Sequence, residues 1–525
     1  MANVVFIKPQ LETDATWEMV RTSSYLGIWF MASYLKERGH NVFYLDETER
    51  DNGIKRTSLY STVLDIATGE YTVDPLEENI QLYREAKNID FNKLSPKDFV
   101  KKYSAFRKDG KICRIIARTG NSIESTKAKL HKIEPDFICI SLIATANVRA
   151  SMRLGEALKK EFPKSRLIYG GQHVSACADN LAKTYPWIDH LVTGDGIHLI
   201  NDIIDGVQKD KVLEGGFQPM TKFPLLDFDI IKSTNYPIDQ QYSYPSFGRK
   251  SVDFMFSKGC FRKCDFCVAG GQEGNRVSMW NWDLIEEQFR IFKSEGIEEL
   301  IVQDDAFIQN MKDLNKKLCL MKKYGFYWQN SGGIDFELLD DSVTEMFINY
   351  NQNGEGRLTG MYVPFNPRDW NRGNSATGTM VNRYVRNFEN LKRLREEGRI
   401  YVFTSDIIGT PEQNFDTVCQ DIRNHKEMIT QGFLDAALTL SATMLPGTAW
   451  YRYNGHNIIS KEDAAGFSLF TTHHKTDKLS PFDIEELVVL RTKELNDMQK
   501  TYNWQTAFPN SVWDYKDNGY ISTKE

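Results

Sequence analysis

Cys260, Cys264 and Cys267 lie in the run Ser257-Lys-Gly-Cys-Phe-Arg-Lys-Cys-Asp-Phe-Cys-Val268. Three soft thiolates in one short loop suit an iron–sulfur cluster, and because an all-cysteine cluster site supplies four, one iron would stay open for another ligand. A zinc site or three scattered core cysteines are the alternatives. Tetrahedral zinc calls for a fourth Cys or His nearby, and none follows at finger-like spacing. The preceding residues 252–257, Val-Asp-Phe-Met-Phe-Ser, alternate apolar side chains and predict a strand that stops at Lys258-Gly259. The loop then sits at a strand's C-terminal end, where barrel enzymes keep their active sites.

A scaffold must hold that loop, and 525 residues are too many for one ordinary domain. The net charge of -6, with acidic and basic residues interspersed, offers no footprint for DNA or RNA, so a small molecule or peptide is the expected substrate. Cys113, Cys139, Cys177, Cys319 and Cys419 show no paired spacing and are expected to be small buried hydrophobes without a disulfide framework. No basic segment followed by an apolar run opens the chain, and no stretch of about eighteen apolar residues occurs. A reducing, cytoplasmic location and no membrane partner are expected.

Residues 1–215 alternate strands with amphipathic helices: strand 4–7, helix 25–38 ended by Gly39, strand 42–45, helix 123–133, strand 137–141, helix 149–162, strand 167–169 and a last strand 190–193. This pattern predicts an α/β fold with a doubly wound parallel sheet. Such sheets bind ligands beyond the carboxyl ends of their strands, which singles out Ser141 and Thr145, then Gly170, Gly171, Gln172 and His173, then Gly194, Asp195 and Gly196. The polar insertion 47–120 reads as a helical elaboration, with Ser95 capping a helix that has Pro96 in its first turn. Residues 216–246, with Pro219, Pro224, Pro237 and Pro245 among aromatics, read as an ordered linker. Over 247–450 the alternation resumes with about six strands, and 451–525 is helical around 484–502. His473 and His474 precede that helix without a spaced acidic or thiol partner and read as a polar loop.

The C-x3-C-x2-C spacing with Phe266 before its last cysteine resembles the cluster loop of radical S-adenosylmethionine (SAM) enzymes, and the six strands resemble their partial (β/α)6 barrel. Leu26-Gly27, Gly-Gly-Gln-His-Val-Ser and Val-Thr-Gly-Asp-Gly resemble the Rossmann-like cobalamin domain of the cobalamin-dependent branch, and the arrangement of that domain, aromatic linker, barrel and tail looks most like the methylases of phosphonate pathways. A flat corrin lies on a sheet edge only where side chains are absent. A dinucleotide-binding sheet would instead show Gly-x-Gly-x-x-Gly after its first strand, where Lys8-Pro9-Gln10 stands. The resemblance implies a [4Fe-4S] cluster on the three cysteines, SAM, and cobalamin. Gln303-Asp304-Asp305 falls at the family's acidic motif facing the SAM ammonium. Ser405-Asp-Ile407-Ile-Gly409-Thr-Pro-Glu412 looks like the adenine shelf, opposite the backbone beside Phe266. Val-Pro-Phe-Asn-Pro-Arg368 replaces the usual fourth-strand pattern and leaves Arg368 as a candidate fork for the SAM carboxylate.

No Asp-x-His-x-x-Gly run supplies the cobalt's lower face, which implies water, no ligand, or a side chain after Ser141; at His173 a turn cap is the plainer reading. The implied activity is methylation of an unactivated carbon or phosphorus centre of a small molecule, by a 5′-deoxyadenosyl radical and methylcobalamin. A second SAM remethylates the cobalt, and a flavodoxin or ferredoxin supplies electrons. Lys258, Arg276, Arg368 and Arg372 are the cations nearest to hand for an anionic substrate, each with a surface charge as the plainer reading. A non-methylating rearrangement or cyclisation is the alternative chemistry, and a noncatalytic cobalamin or cluster sensor the alternative class.

Overall fold

Val4, Val5, Phe6 and Ile7 are all buried, the mark of a strand covered on both faces. Val4 and Phe6 pack with Trp29, Phe30 and Leu35 of the helix Leu26–Lys36, while Val5 and Ile7 pack with Leu130, Leu154 and Leu158 on the other side. The computed structural model describes residues 1–14, 25–48, 56–74, 107–108, 111–233, 249–269, 276–353, 355–368, 379–461, 464–467, 472–501, 511–514 and 519–522. Within them the first sheet is parallel, in the order Val212–Glu214, His190–Thr193, Arg166–Gly170, Phe137–Ser141, Asn3–Lys8, Asn41–Asp46. The strand Val212–Glu214 extends it past 190–193, where three residues among charged neighbours carry too little pattern to read.

The described residues of the insertion form strands, and the helical elaboration expected there falls on residues outside the described ones. Leu11–Asp14, Lys111–Thr119, Arg56–Asp65 and Tyr71–Asp74 form an antiparallel sheet in that order, with Arg107–Lys108 paired onto Lys111–Thr119. Ile112, Arg114 and Ile116 share its buried face, and Arg114 donates to Glu485 across 3.0 Å and to the Thr472 carbonyl. An arginine in the middle of a buried row interrupts the apolar alternation that identifies a strand. The Ser95-Pro96 helix start lies outside the described residues.

The second sheet is parallel and in sequence order: Ser251–Phe254, Glu299–Val302, Tyr327–Asn330, Leu358–Tyr362, Tyr401–Ile408, Ala436–Ser441. Its crossover helices begin at side-chain caps, Asn281 for Trp282–Ser294, Asn310 for Met311–Lys323 and Asn414 for Phe415–Thr430. Strands laid side by side in chain order with helices between them make a partial barrel.

The two α/β units share one core. Phe30 of the first packs edge-on against Phe223 of the linker and Trp280 of the second, at 5.1 and 5.3 Å between ring centroids. The Trp280 indole donates to the Phe223 carbonyl, Leu226 exchanges two hydrogen bonds with Gln288, and Asp227 N–H donates to Ser33 Oγ. Pro237 and Pro245 lie outside the described residues.

The helix Pro481–Thr501 lies on the last barrel strand and on Phe415–Thr430, sealing Ile484, Leu487 and Val488 against Ile408, Val418 and Ile422. His473 and His474 are fully buried rather than in a solvated loop. His473 accepts from Met444 N–H and donates to the Gly466 carbonyl, and His474 donates to the Gly409 carbonyl. Cys139 is buried, whereas Cys319 is exposed on a helix surface, contrary to the expectation of a small core residue.

Candidate active site

The cluster loop springs from a stem fixed by one buried carboxylate. Asp304 Oδ1 accepts the Phe256 N–H at 2.7 Å, and Oδ2 accepts the Ser257 hydroxyl at 2.7 Å and the Lys317 ammonium at 2.8 Å. Asp304 and Lys317 are both fully buried, so burial pulls the Lys317 ammonium down while Asp304 opposes it. Ser257–Lys258 also pairs antiparallel with Ser278–Met279. Gly259 turns the chain at φ 84°, with its N–H on Asp305 Oδ2 at 2.8 Å.

Beyond that turn, the Cys267 N–H closes onto the Cys264 carbonyl and the Arg262 N–H points at Cys260 Sγ, 3.4 Å away. The Arg262 guanidinium grips Asp335 and Glu337 beyond the third barrel strand. Cys264 is exposed and Cys260 and Cys267 are half-buried, and burial chiefly holds the Cys260 thiol above its ordinary value. Among the described residues no three His, Cys, Asp or Glu side chains converge on a point that could hold a single metal ion. Three thiols carried on one short loop are a donor set that fits an iron–sulfur cluster with one iron left open.

Around the loop, Trp450 N–H donates to the Asp265 carbonyl, and its ring meets Phe266 at 5.5 Å. At the fifth strand's end Gly409 has φ 96°, and a Cβ there would strike Ile484 at 2.9 Å. The turn is closed by Gln413, which accepts the Gly409 and Thr410 N–H groups and donates to the Ile407 carbonyl. Glu412 is exposed.

Several residues expected to touch SAM are spent elsewhere. Asp304 is consumed by the loop stem. Gln303 is bonded at both ends of its amide, to Asp253 and Ser331. Arg368 pairs with buried Asp421, whose carboxyl is pushed up to about 6, chiefly by burial. Ser405, at the expected first glycine of the shelf, bonds the Tyr362 hydroxyl.

At the carboxyl edge of the first sheet the glycines divide into two kinds. A Cβ on Gly27 would meet nothing within 4 Å, and one on Gly170 would make only ordinary contact at 3.8 Å. At Gly171 (φ 113°) and Gly194 (φ 65°) a Cβ would instead lie 2.5 Å and 2.7 Å from the Leu142 and Gly216 carbonyl oxygens, so backbone packing demands glycine. Ser175 ties these two turns together, donating to the Gly171 carbonyl and accepting the Gly194 N–H. Gly196 approaches Met31, and Gln172 is exposed.

His173 is not a turn cap. Its Nδ1 lies 2.9 Å from Thr145 Oγ1, joining the loop after Ser141 to the loop after Gly170, and burial lowers its pKa to about 4. An imidazole that protonates near 6.5 when unfolded and near 4 when folded costs stability as the pH falls between those values. Acidifying from pH 7.5 to 5 is expected to cost about 2 kcal/mol through this residue. Denaturant unfolding of His173→Gln at both pH values should show an acid sensitivity smaller by that amount.

Asp195 faces the second unit: it accepts Gln218 N–H at 2.5 Å and pairs with Lys258. Lys258 and Arg368 are therefore committed to carboxylates rather than held out for an anionic substrate. Arg276 lies 4.6 Å from the Phe217 ring, and Arg372 is outside the described residues.

The signals for Gln413, Ser175 and Trp450 were present only as ordinary polar or aromatic residues near glycine turns. Nothing in their spacing marks them.

No family model matches the chain. It is 26% identical to an uncharacterized methyltransferase of Pyrococcus horikoshii over 35% of this chain and 42% of that one. It is 22% identical to the cytidylyl-2-hydroxyethylphosphonate methyltransferase of Streptomyces wedmorensis over 62% of this chain and 59% of that one. The chain thus spans less than two thirds of either relative. The radical S-adenosylmethionine methyltransferase TsrM of Kitasatospora setae, solved with cobalamin and a [4Fe-4S] cluster, aligns over 86% of this chain and 74% of that one, at 12% identity and a TM-score of 0.49. With a three-cysteine loop at the head of a six-stranded parallel barrel, and a doubly wound sheet before it, the chain resembles the cobalamin-dependent radical SAM methylases.

Proposed function

We propose that the protein is a cobalamin-dependent radical SAM methyltransferase acting on an unactivated carbon or phosphorus centre of a small molecule. The observation that carries this reading is the loop of Cys260, Cys264 and Cys267 at the C-terminal end of the first barrel strand, three thiols for a cluster of four irons.

In this reading the three cysteines hold the cluster. Backbone at Phe266 and at Ile407 to Gly409 takes the adenine, with Gln413 rather than Glu412 shaping the turn. Gly27, Gly170, Ser141 and the Thr145–His173 pair floor the corrin. When bound, the cluster and SAM supply a carbon radical and cobalamin supplies a methyl group. The chain's own residues bind, orient and exclude water. Arg262 anchors the loop to Asp335 and Glu337, and Trp450 covers Phe266. No helix of the described residues is long and apolar enough to cross a membrane. A reducing cytoplasm and an external one-electron donor such as flavodoxin or ferredoxin complete the proposal.

The test is anaerobic reconstitution with iron, sulfide and cobalamin, followed by SAM, reductant and candidate small molecules. Cluster and corrin absorption, with 5′-deoxyadenosine and S-adenosylhomocysteine both accumulating, is the expected result. Product formed with 5′-deoxyadenosine but without S-adenosylhomocysteine would mean a rearrangement or cyclisation. No SAM cleavage after reduction would mean a sensor.

A further inference from the structure

Lys258 precedes Gly259 and the first cluster cysteine, yet its ammonium reaches into the other α/β unit. It pairs there with Asp195, at the end of the strand His190–Thr193, and only 8% of the lysine side chain and 24% of the aspartate's are exposed. Two aromatic rings of the linker, Phe217 at 4.3 Å and Phe223 at 5.2 Å, flank the ammonium. That enclosure keeps water from competing for the charge.

Both ends of this contact are stiff. On one side Asp195 N–H donates to the Gly216 carbonyl, Gln218 N–H caps its carboxylate, and Gly215 passes so close that a Cβ would lie 2.0 Å from the Asp195 backbone carbonyl oxygen. On the other side Lys258 belongs to the short ladder with Ser278–Met279, between Ser257, held by Asp304, and Gly259, held by Asp305. A pair whose two backbones are each fixed by neighbours transmits position rather than absorbing it.

We propose that Lys258 and Asp195 are positioning residues whose ion pair sets the distance and angle between the cluster loop and the ligand-bearing edge of the first sheet. This rests on the proposed function, because it assigns a cofactor to each side of the pair. Cobalamin, when bound, would accept the methyl group of SAM with S-adenosylhomocysteine as the leaving product, and Lys258 and Asp195 would hold the two edges in register for that transfer.

The test uses the reconstituted full-length protein and the variants Lys258→Met, Asp195→Asn and both together. Methionine keeps an apolar stem beneath the two rings, asparagine keeps an acceptor for Gln218, and the double variant buries no unpaired charge, so it carries the test if a single variant fails to fold. Pulsed electron paramagnetic resonance between the reduced cluster and cob(II)alamin reads the spacing. S-adenosylhomocysteine release from SAM and cob(I)alamin reads the alignment. Wild type should give one narrow distance. The double variant should give a distribution at least about twice as wide and release slower by about a hundredfold, the loss typical of a misplacement near 1 Å. A double variant with wild-type distance and rate would overturn the latch and leave the functional reading standing. Wild-type protein that takes up no cobalamin would overturn both, and does so before any variant is made.

Discussion

Cys264→Ala is expected to reduce 5′-deoxyadenosine formation to background while leaving thermal unfolding of the chain near wild type. The two halves follow from the same fact. Cys264 is exposed, so its removal opens no core cavity and the destabilisation that follows buried large-to-small changes does not arise. Its thiolate is one of only three the loop offers, and two thiolates that share one short loop with an exposed face hold a cluster poorly against solvent. Iron and acid-labile sulfide analysis after reconstitution, followed by SAM cleavage under reduction, measures the effect. Corrin uptake should be unchanged, because the first sheet and its open positions at Gly27 and Gly170 lie in the other unit. Retained cleavage would remove the cysteine loop from its assigned role.

The barrel was legible where local chemistry and tertiary packing agree. Trp282–Ser294 places Ile285, Phe289 and Phe292 on one face between the Asn281 cap and Gly296, so period, start and stop all point to one helix. The insertion was opaque because Arg114 occupies a buried row and finds its partner at Glu485, hundreds of residues away. The same limit governs the site. An acid after a barrel strand looks alike in sequence whether it faces a ligand or its own loop, and only the contacts of Asp304 and Asp305 tell which is which. Likewise a Gly-x-Ile-x-Gly-x-x-Glu pattern draws attention to Glu412, although the neighbouring Gln413 makes the bonds. Lys258 read as a surface charge, with a cation for the substrate as the alternative, because no local rule links it to Asp195.

Asp304→Asn is expected to cost about 3–5 kcal/mol of stability, because it leaves the Lys317 ammonium in a fully buried position without its counter-charge. The amide is nearly isosteric, so packing loss contributes little and the charge term dominates. An asparagine oxygen still accepts one of the bonds from Phe256 and Ser257, but its NH2 group faces donors where the second carboxylate oxygen stood. The consequence reaches function through the loop stem: with one of the Phe256 and Ser257 bonds lost, Gly259 and Cys260 lose part of their fixed origin. Cluster content should fall even at temperatures where the chain remains folded. The double variant Asp304→Asn with Lys317→Met separates the two effects. Removing the ammonium, which would otherwise keep only the neutral Phe307 carbonyl and Gln309 as hydrogen-bond partners, should recover most of the stability, as seen by thermal unfolding, yet the stem bonds remain impaired and iron content should stay low. Asp305→Asn is the contrasting case, since its exposed carboxylate accepts the Gly259 N–H and, among the described residues, has no ammonium bonded to it. If Asp304→Asn unfolds like wild type and assembles a full cluster, the stem does not depend on this carboxylate, and a SAM contact becomes the better account of Asp304.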